Sequence, residues 1–442
     1  MITNNFLTAT HILDRIQQGK LSSVESVRTC LDRIAEREPI VQAWECLEPD
    51  YALEQAKHHD LVQSQQQPIG ALHGIPIAIK DTFATRDLPT GWGTSIHAGQ
   101  QLGFDAAVIA RLRAAGAVIM GKTVTTEYAM ARAGKTRNPH HPKHTPGASS
   151  SGSAAAVADG MVPLAIGTQT VGSILRPAAY CGIFGFKPSF GLISRYGALP
   201  SSRDLDHVGL FARSVADIAL LLEVLAGADG RDPDCYGYLP ACPANLFNRS
   251  QPPRLALIFG PYVNQLQPEA KNALENSATA LRKAGATITE ITLPSSFDDY
   301  FDHVQVLASV GMAAHHGADF DRHADQMSAK LRQIIEQGRI MPSLTYAATR
   351  QTVVEYSQML TKLFCDVDAI LTPVTTGTAP YGLENTGSPI FCALWTLCGL
   401  PAVNIPVGYG SNGLPLGVQL VGQRGQDWQV LAIAQWIRTY LS

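Results

Sequence analysis

The sequence predicts an α/β fold organised around one hydroxyl-rich stretch. Short apolar runs of strand length alternate along the chain with segments of helical periodicity. Hydrophobic residues make up 45% of the 442 positions and charged ones only 16%, a balance that fits a large buried core. The third observation is the stretch from Gly147 to Ser173, GASSSGSAAAVADGMVPLAIGTQTVGS. It sets two turns of hydroxyls and glycines on either side of a helix-like segment and an apolar run. Packing gives no reason to place so many small hydroxyls beside glycines. A nucleophilic site does, because small residues let a substrate carbonyl approach the backbone closely.

The elements follow in order. Residues about 6–37 form two helices: Ser22 and Glu25 make a capping box, and Val24, Val27, Leu31 and Ile34 follow at helical spacing. A third helix runs from about Tyr51 to Gln65. GIPIAIKD is a short buried strand, with Ile75, Ile77 and Ile79 on one face and Lys80 at its end. Asp105 to Ala115 is helical, Gly116 stops it, and AVIM leads as a strand into Gly121, Lys122 and Thr123. Gly116 to Thr123 spells the phosphate-loop pattern GxxxxGK[ST]. Its four middle residues are themselves strand, however, and the helix precedes them, so the match is a coincidence of a strand end.

Asn138 to Pro146, NPHHPKHTP, is a proline-rich loop over the site. Its His140, His141 and His144 share no helix face and have no acidic or thiol ligand nearby, so no metal is assigned to them. ILRPAAYCGIFGFKPSFG, which follows Ser173, is a tightly packed connector, and Ser214 to Leu225 is an amphipathic helix. Leu255 to Phe259 is a strand, Gln267 to Ala284 a helix and Thr287 to Leu293 another strand. Mostly helical text comes next, with Asp299, Asp302, Asp319 and Asp321 on a solvated face. AILTPVT, AVNIPVGYG and PLGVQLVGQ are three further short strands.

Several function classes are disfavoured. A net charge of -3 leaves no basic excess, so nucleic acid is not the expected partner. Eight cysteines lie scattered without CxxC or finger spacing, as reduced thiols of an intracellular protein would. The N-terminus lacks a signal-peptide pattern, and no run approaches the roughly 18 apolar residues of a membrane helix. The expectation is a cytoplasmic protein with no membrane segment. Its length would allow about three domains, but no repeat or polar linker divides it. One domain over 1–442 is expected, with a helical N-terminal segment about 1–65 and a variable, mostly helical region about 297–365. Oligomeric state stays open, a homodimer included.

The chemistry narrows by elimination. The GxSxG elbow of Ser-His-Asp enzymes is missing, since Ala148 stands where its first glycine belongs. None of the thirteen histidines lies in a stretch built like a site; His207 in SRDLDHVGLF is the best and reads as structural. A Ser-Lys arrangement needs fewer pieces. Lys80 is the candidate base, Ser149 the proton relay and Ser173 the nucleophile. A free lysine has a pKa near 10.4, so a base near neutrality requires a drop of roughly three units, about 4 kcal/mol, within reach of burial. Asp81 would oppose that drop, but adjacent strand residues point to opposite faces.

On these residues the sequence resembles the amidase signature family, the Ser–cis-Ser–Lys hydrolases. The motifs extend from about Gly70 to Asp217, with weaker matches in LTPVTTGTAP and GLPLGVQLVG. Most specific is the serine of GTQTVGS, 24 residues after Ser149 of the glycine/serine-rich signature. The resemblance implies a large twisted mixed β-sheet covered by helices on both faces. It makes Lys80 the base, Ser149 a bridging serine on a cis peptide and Ser173 the nucleophile. The oxyanion hole falls to the backbone N–H groups of Thr170, Val171, Gly172 and Ser173, while Ser150 and Thr168 hold the lysine and serines by hydrogen bonds. The implied activity is cleavage of a small carboxamide to carboxylate plus ammonia or amine through a Ser173 acyl-enzyme, with no metal or organic cofactor.

Departures from the family pattern bear on substrate. Many members carry GTDTGGSIR where this chain has GTQTVGSILR. Val171 replaces a glycine, which is tolerable only at negative φ and narrows the pocket. Arg176 comes three positions after the nucleophile instead of two. With GASSSGS in place of GGSSGGS, this is similar to malonamidase-like members, whose matching arginine binds the substrate's carboxylate. An internal salt bridge or a backbone brace before Pro177 is the other reading of Arg176. An alternative function is the amidase-like component of a tRNA-dependent glutamyl/aspartyl amidotransferase, which passes ammonia from glutamine to a partner. Gln169, Val171 and Arg176 speak against it. A binding module without catalysis would have no need of Lys80, Ser149 and Ser173 together. The walls of the pocket lie in the 300–390 region, which the sequence leaves unread.

Overall fold

The structure, a computed structural model, describes residues 7–243 and 245–441. Among them eleven strands form one mixed sheet. Its first half runs, in spatial order, β1 (Trp44–Leu47), β3 (Val118–Thr123), β2 (Pro76–Lys80), β4 (Leu164–Gln169), β6 (His207–Ala212) and β5 (Phe184–Lys187). The second half continues with β10 (Ala402–Tyr409), β11 (Pro415–Val421), β9 (Ala369–Pro373), β7 (Arg254–Leu257) and β8 (Thr287–Glu290). β3, β2 and β4 run parallel, as do β9, β7 and β8, and the remaining neighbours are antiparallel.

Strand alternation divides the core into two faces. Ile77, Ile79, Leu164, Ile166, Leu210 and Val403 pack on one face with the helices Val215–Leu225 and Asp427–Tyr440. Ala78, Ala165 and Phe211 pack on the other with Ser23–Val41 and Ser151–Ala158. Farther along, Ala256, Ile370 and Ala402 meet the helices Tyr300–His323 and Ile390–Leu397. The sheet is therefore covered on both faces, as the resemblance implied. No helix among the described residues is long and apolar enough to cross a membrane. All eight cysteines are free.

Most expected elements are present, including the Ser22–Glu25 capping box. The stretch after Ser173 is not a connector: it holds the helix Leu175–Cys181 and the central strand β5. Pro177 sits in that helix's first turn, where a missing N–H costs nothing, and Gly182 closes it at φ 71°. Residues 138–146 do not cover the site either. His140 and His144 make hydrogen bonds to the carbonyls of Cys181 and Ala379 instead. Asp319 is not solvated; it accepts hydrogen bonds from Tyr128 and His97. The phosphate-loop look-alike is strand β3, with Lys122 fully buried against Asp81 at 3.2 Å.

Candidate active site

Three neighbouring strands bring the polar residues together. Lys80 ends β2, Thr168 lies near the end of β4, and Ser149 and Ser150 lead into the helix Ser151–Ala158. The helix comes close enough because residue 152 is glycine. A Cβ there would stand 2.4 Å from the Ala43 carbonyl oxygen and 2.5 Å from Val124 N. Gly167 serves similarly, since its Cβ would fall 2.7 Å from Ser150 Oγ. These glycines make room for backbone and side-chain packing around the serines.

Lys80 is fully buried. Its Nζ donates to Ser149 Oγ at 2.8 Å and to Thr168 Oγ1 at 2.8 Å, and no carboxylate lies within ion-pair distance among the described residues. Asp81 points away to Lys122 and Gly91 N, as strand alternation requires. Burial pushes the Lys80 pKa well below the ordinary lysine range, opposed by the Asp206 carboxylate. A buried amine without a counter-ion is neutral because desolvation penalises its charged form.

The nucleophile candidate adjoins this pair. Ser173 Oγ accepts from the Ser149 N–H at 3.4 Å, so both serines face one another across the turn. Lys80 thus contacts Ser149 directly and Ser173 one step further on. Ser150 does not reach the lysine; its hydroxyl donates to the Thr168 carbonyl at 3.0 Å and fixes the residue that does. The cis peptide expected at Ser149 is absent, since every described peptide bond is trans. The chain turns instead through two consecutive left-handed residues, Gly147 at φ 89° and Ala148 at φ 52°. A left-handed alanine costs about 1–2 kcal/mol, against about 3–4 for a non-proline cis bond.

The second turn is built as an anion cradle. Among the described residues, none of the N–H groups from Thr170 to Ser173 donates a backbone or side-chain hydrogen bond, whereas those of Ile174 and Leu175 both donate to Gln169 Oε1. Gln169 does a job the sequence did not foretell: its amide nitrogen also donates to Thr396 Oγ1 at 2.8 Å, tying the turn to the helix Ile390–Leu397. Val171 has no positive φ, so the valine is accommodated. Thr170 Oγ1 donates to Asp206 at 2.6 Å. Asp206 carries no signal in the sequence. It also accepts from the Ser201 and Ser202 N–H groups, and burial raises its pKa. His207 beside it is neutral, because burial holds its pKa well below the usual value, and its Nδ1 lies 2.6 Å from the Leu205 carbonyl oxygen.

Ser149, Val171, Ser173 and Arg176 line one side of a cleft of about 460 Å³. Its other walls come from residues 301–309, 330–337 and 386–389, within the stretch the sequence left unread. Arg176 is 7% exposed, and no carboxylate pairs with it among the described residues. One guanidinium nitrogen donates to the Gly387 carbonyl, while Nε has no partner. Of the expected internal roles, the backbone brace is present and the salt bridge is not.

The chain is similar to known proteins along its whole length. The family model described as Amidase matches residues 25–431. The chain is 36% identical to the amidase-like component of the glutamyl-tRNA(Gln) amidotransferase of Symbiobacterium thermophilum, over 97% of this chain and 95% of that one. It is 28% identical to native peptide amidase from Stenotrophomonas maltophilia, with a TM-score of 0.87 over 100% of this chain and 98% of the other. Another solved structure belongs to an inhibitor-bound vestigial protein complex linked to the evolutionary origins of an s-triazine catabolic enzyme. That chain is 26% identical, with a TM-score of 0.92 over 99% of this chain and 100% of its own.

Proposed function

The chain belongs to the amidase family, and on that premise we propose that it is an amidohydrolase cleaving a small carboxamide through a Ser173 acyl-enzyme. The observation that carries this reading is the fully buried Lys80 amine, whose Nζ bonds to Ser149 and Thr168 and to no carboxylate. A neutral amine there can take the Ser149 proton as Ser149 takes that of Ser173. The freed Ser173 oxygen attacks the amide carbon, and the carbonyl oxygen gains negative charge facing the unpaired N–H groups of residues 170–173. As the C–N bond breaks, the relay returns the proton to the departing nitrogen. Water then gives a proton to the same relay and attacks the ester, releasing the carboxylate and restoring the Ser173 hydroxyl. Arg176, buried and without a carboxylate partner, supports a malonamate-like substrate whose free carboxylate it would grip.

Ser173→Ala tests the reading: ammonia release from amides by the purified chain should vanish while its circular dichroism is unchanged. Full activity in that variant would refute the nucleophile assignment. A second reading, the amidase-like component of an amidotransferase, is favoured by the Symbiobacterium thermophilum relative. It expects the isolated chain to be inactive on simple amides.

A further inference from the structure

Besides the Ser173 wall, the cleft presents a second cation. On the helix Ala329–Ile340, Lys330, Gln333, Ile334 and Gln337 all line it, a spacing that marks one helix face. From the helix Tyr300–His323 come Gln305 and Ser309. Among the described residues no aspartate or glutamate lines the cleft, so its only charged side chains are Arg176 and Lys330. Arg176 is buried with Nε unpartnered, and neither cation has an ion pair among the described residues. The two sense one another: burial first, and then the Arg176 charge, lowers the Lys330 pKa. Two like charges facing one cavity repel unless an anion lies between them.

We infer that Arg176 and Lys330 form one anion subsite, and that Lys330 selects amides whose acyl group ends in a carboxylate. This rests on the hydrolase reading of the same cleft. The arginine is held against the Gly387 carbonyl, so its position is fixed by the fold, while the exposed lysine at the rim meets the substrate as it enters. The neighbouring glutamines offer both donors and acceptors, which suits an acyl chain that carries polar atoms between its two ends.

The experiment compares kcat/KM for succinamate with that for the neutral isostere butyramide, in wild type, Lys330→Gln and Lys330→Arg. Calorimetry of malonate, succinate and glutarate binding runs alongside on the same proteins. Lys330→Gln should lower the succinamate-to-butyramide ratio by about ten- to a hundredfold, the loss expected for one hydrogen bond to a charged group. The Lys330→Arg ratio should stay near that of wild type, and dicarboxylate affinity should fall in Lys330→Gln by a similar factor. An unchanged ratio with unchanged dicarboxylate binding would overturn the inference. Wild type that hydrolyses butyramide and ignores succinamate would also overturn it, leaving the hydrolase reading intact. Wild type inactive on every amide would sink the hydrolase reading, and the dicarboxylate titrations would still decide the subsite.

Discussion

Lys80→Met should reveal the energetic cost of a neutral base. In the unfolded chain this lysine keeps its proton up to about pH 10.4; in the fold, burial holds the pKa well below the ordinary value. Between the two pKa values the unfolded state binds one more proton than the folded state. Wild-type stability therefore falls as pH falls through that window, by about 1.4 kcal/mol per pH unit, and levels off below the folded pKa. Methionine binds no proton, so the variant gains on wild type across the same window, by up to about 4–5 kcal/mol at pH 7 for a lysine neutral there. Against this runs the loss of the two 2.8 Å hydrogen bonds to Ser149 and Thr168. That loss is about 1–3 kcal/mol per hydroxyl left without a partner, and it does not vary with pH.

Net stability at one pH therefore decides nothing, and the slope decides. Urea unfolding of both proteins at pH 7, 8, 9 and 10 gives the difference directly. The variant's advantage should shrink steadily toward pH 10. Asp206 is the charge that acts on Lys80, and as a carboxylate it titrates far below this range. A stability difference that is flat from pH 7 to 10 would mean that the buried amine carries its proton, and the mechanism would lose its base.

Asp206→Asn removes the carboxylate that favours the charged form of Lys80. The acid limb of kcat/KM should move to lower pH, and a limb that stays in place would exclude electrostatic coupling between the two. Gly152→Ala should destabilise the fold by about 1–3 kcal/mol or more, because both atoms its Cβ would strike are backbone. An unaltered thermal midpoint would refute the close approach of that helix to β3.

The base, relay and nucleophile were legible because each sits in a motif whose residue types have few other uses. Lys80 follows three isoleucines at alternating positions, and those isoleucines do bury it. Asp206 left no such mark. One aspartate in SRDLDHVGL looks like any loop carboxylate, and its role arises only when β6 brings it beside β4, through a pairing that joins Gln169 to His207. β5 was hidden for a related reason: four residues, FGFK, are too few for alternation to show, and Pro177 just before them suggested irregular chain. The cleft walls were unreadable because helices of the 300–340 region repeat the same periodicity whether a face meets the core or a cavity.

The glycines of the signature serve a different purpose from the one their residue type suggests. Small residues beside hydroxyls imply a path cleared for substrate, yet Gly147 abuts the Tyr180 ring, Gly152 the Ala43 carbonyl and Gly167 the Ser150 hydroxyl. Each clears space for another part of the chain. Placing two serines accurately against a buried amine requires a helix and a strand closer than any side chain would permit. The motif is glycine-rich because the site's rigidity depends on backbone contact, and reactivity follows from that contact through the distance it sets between Lys80 and Ser149.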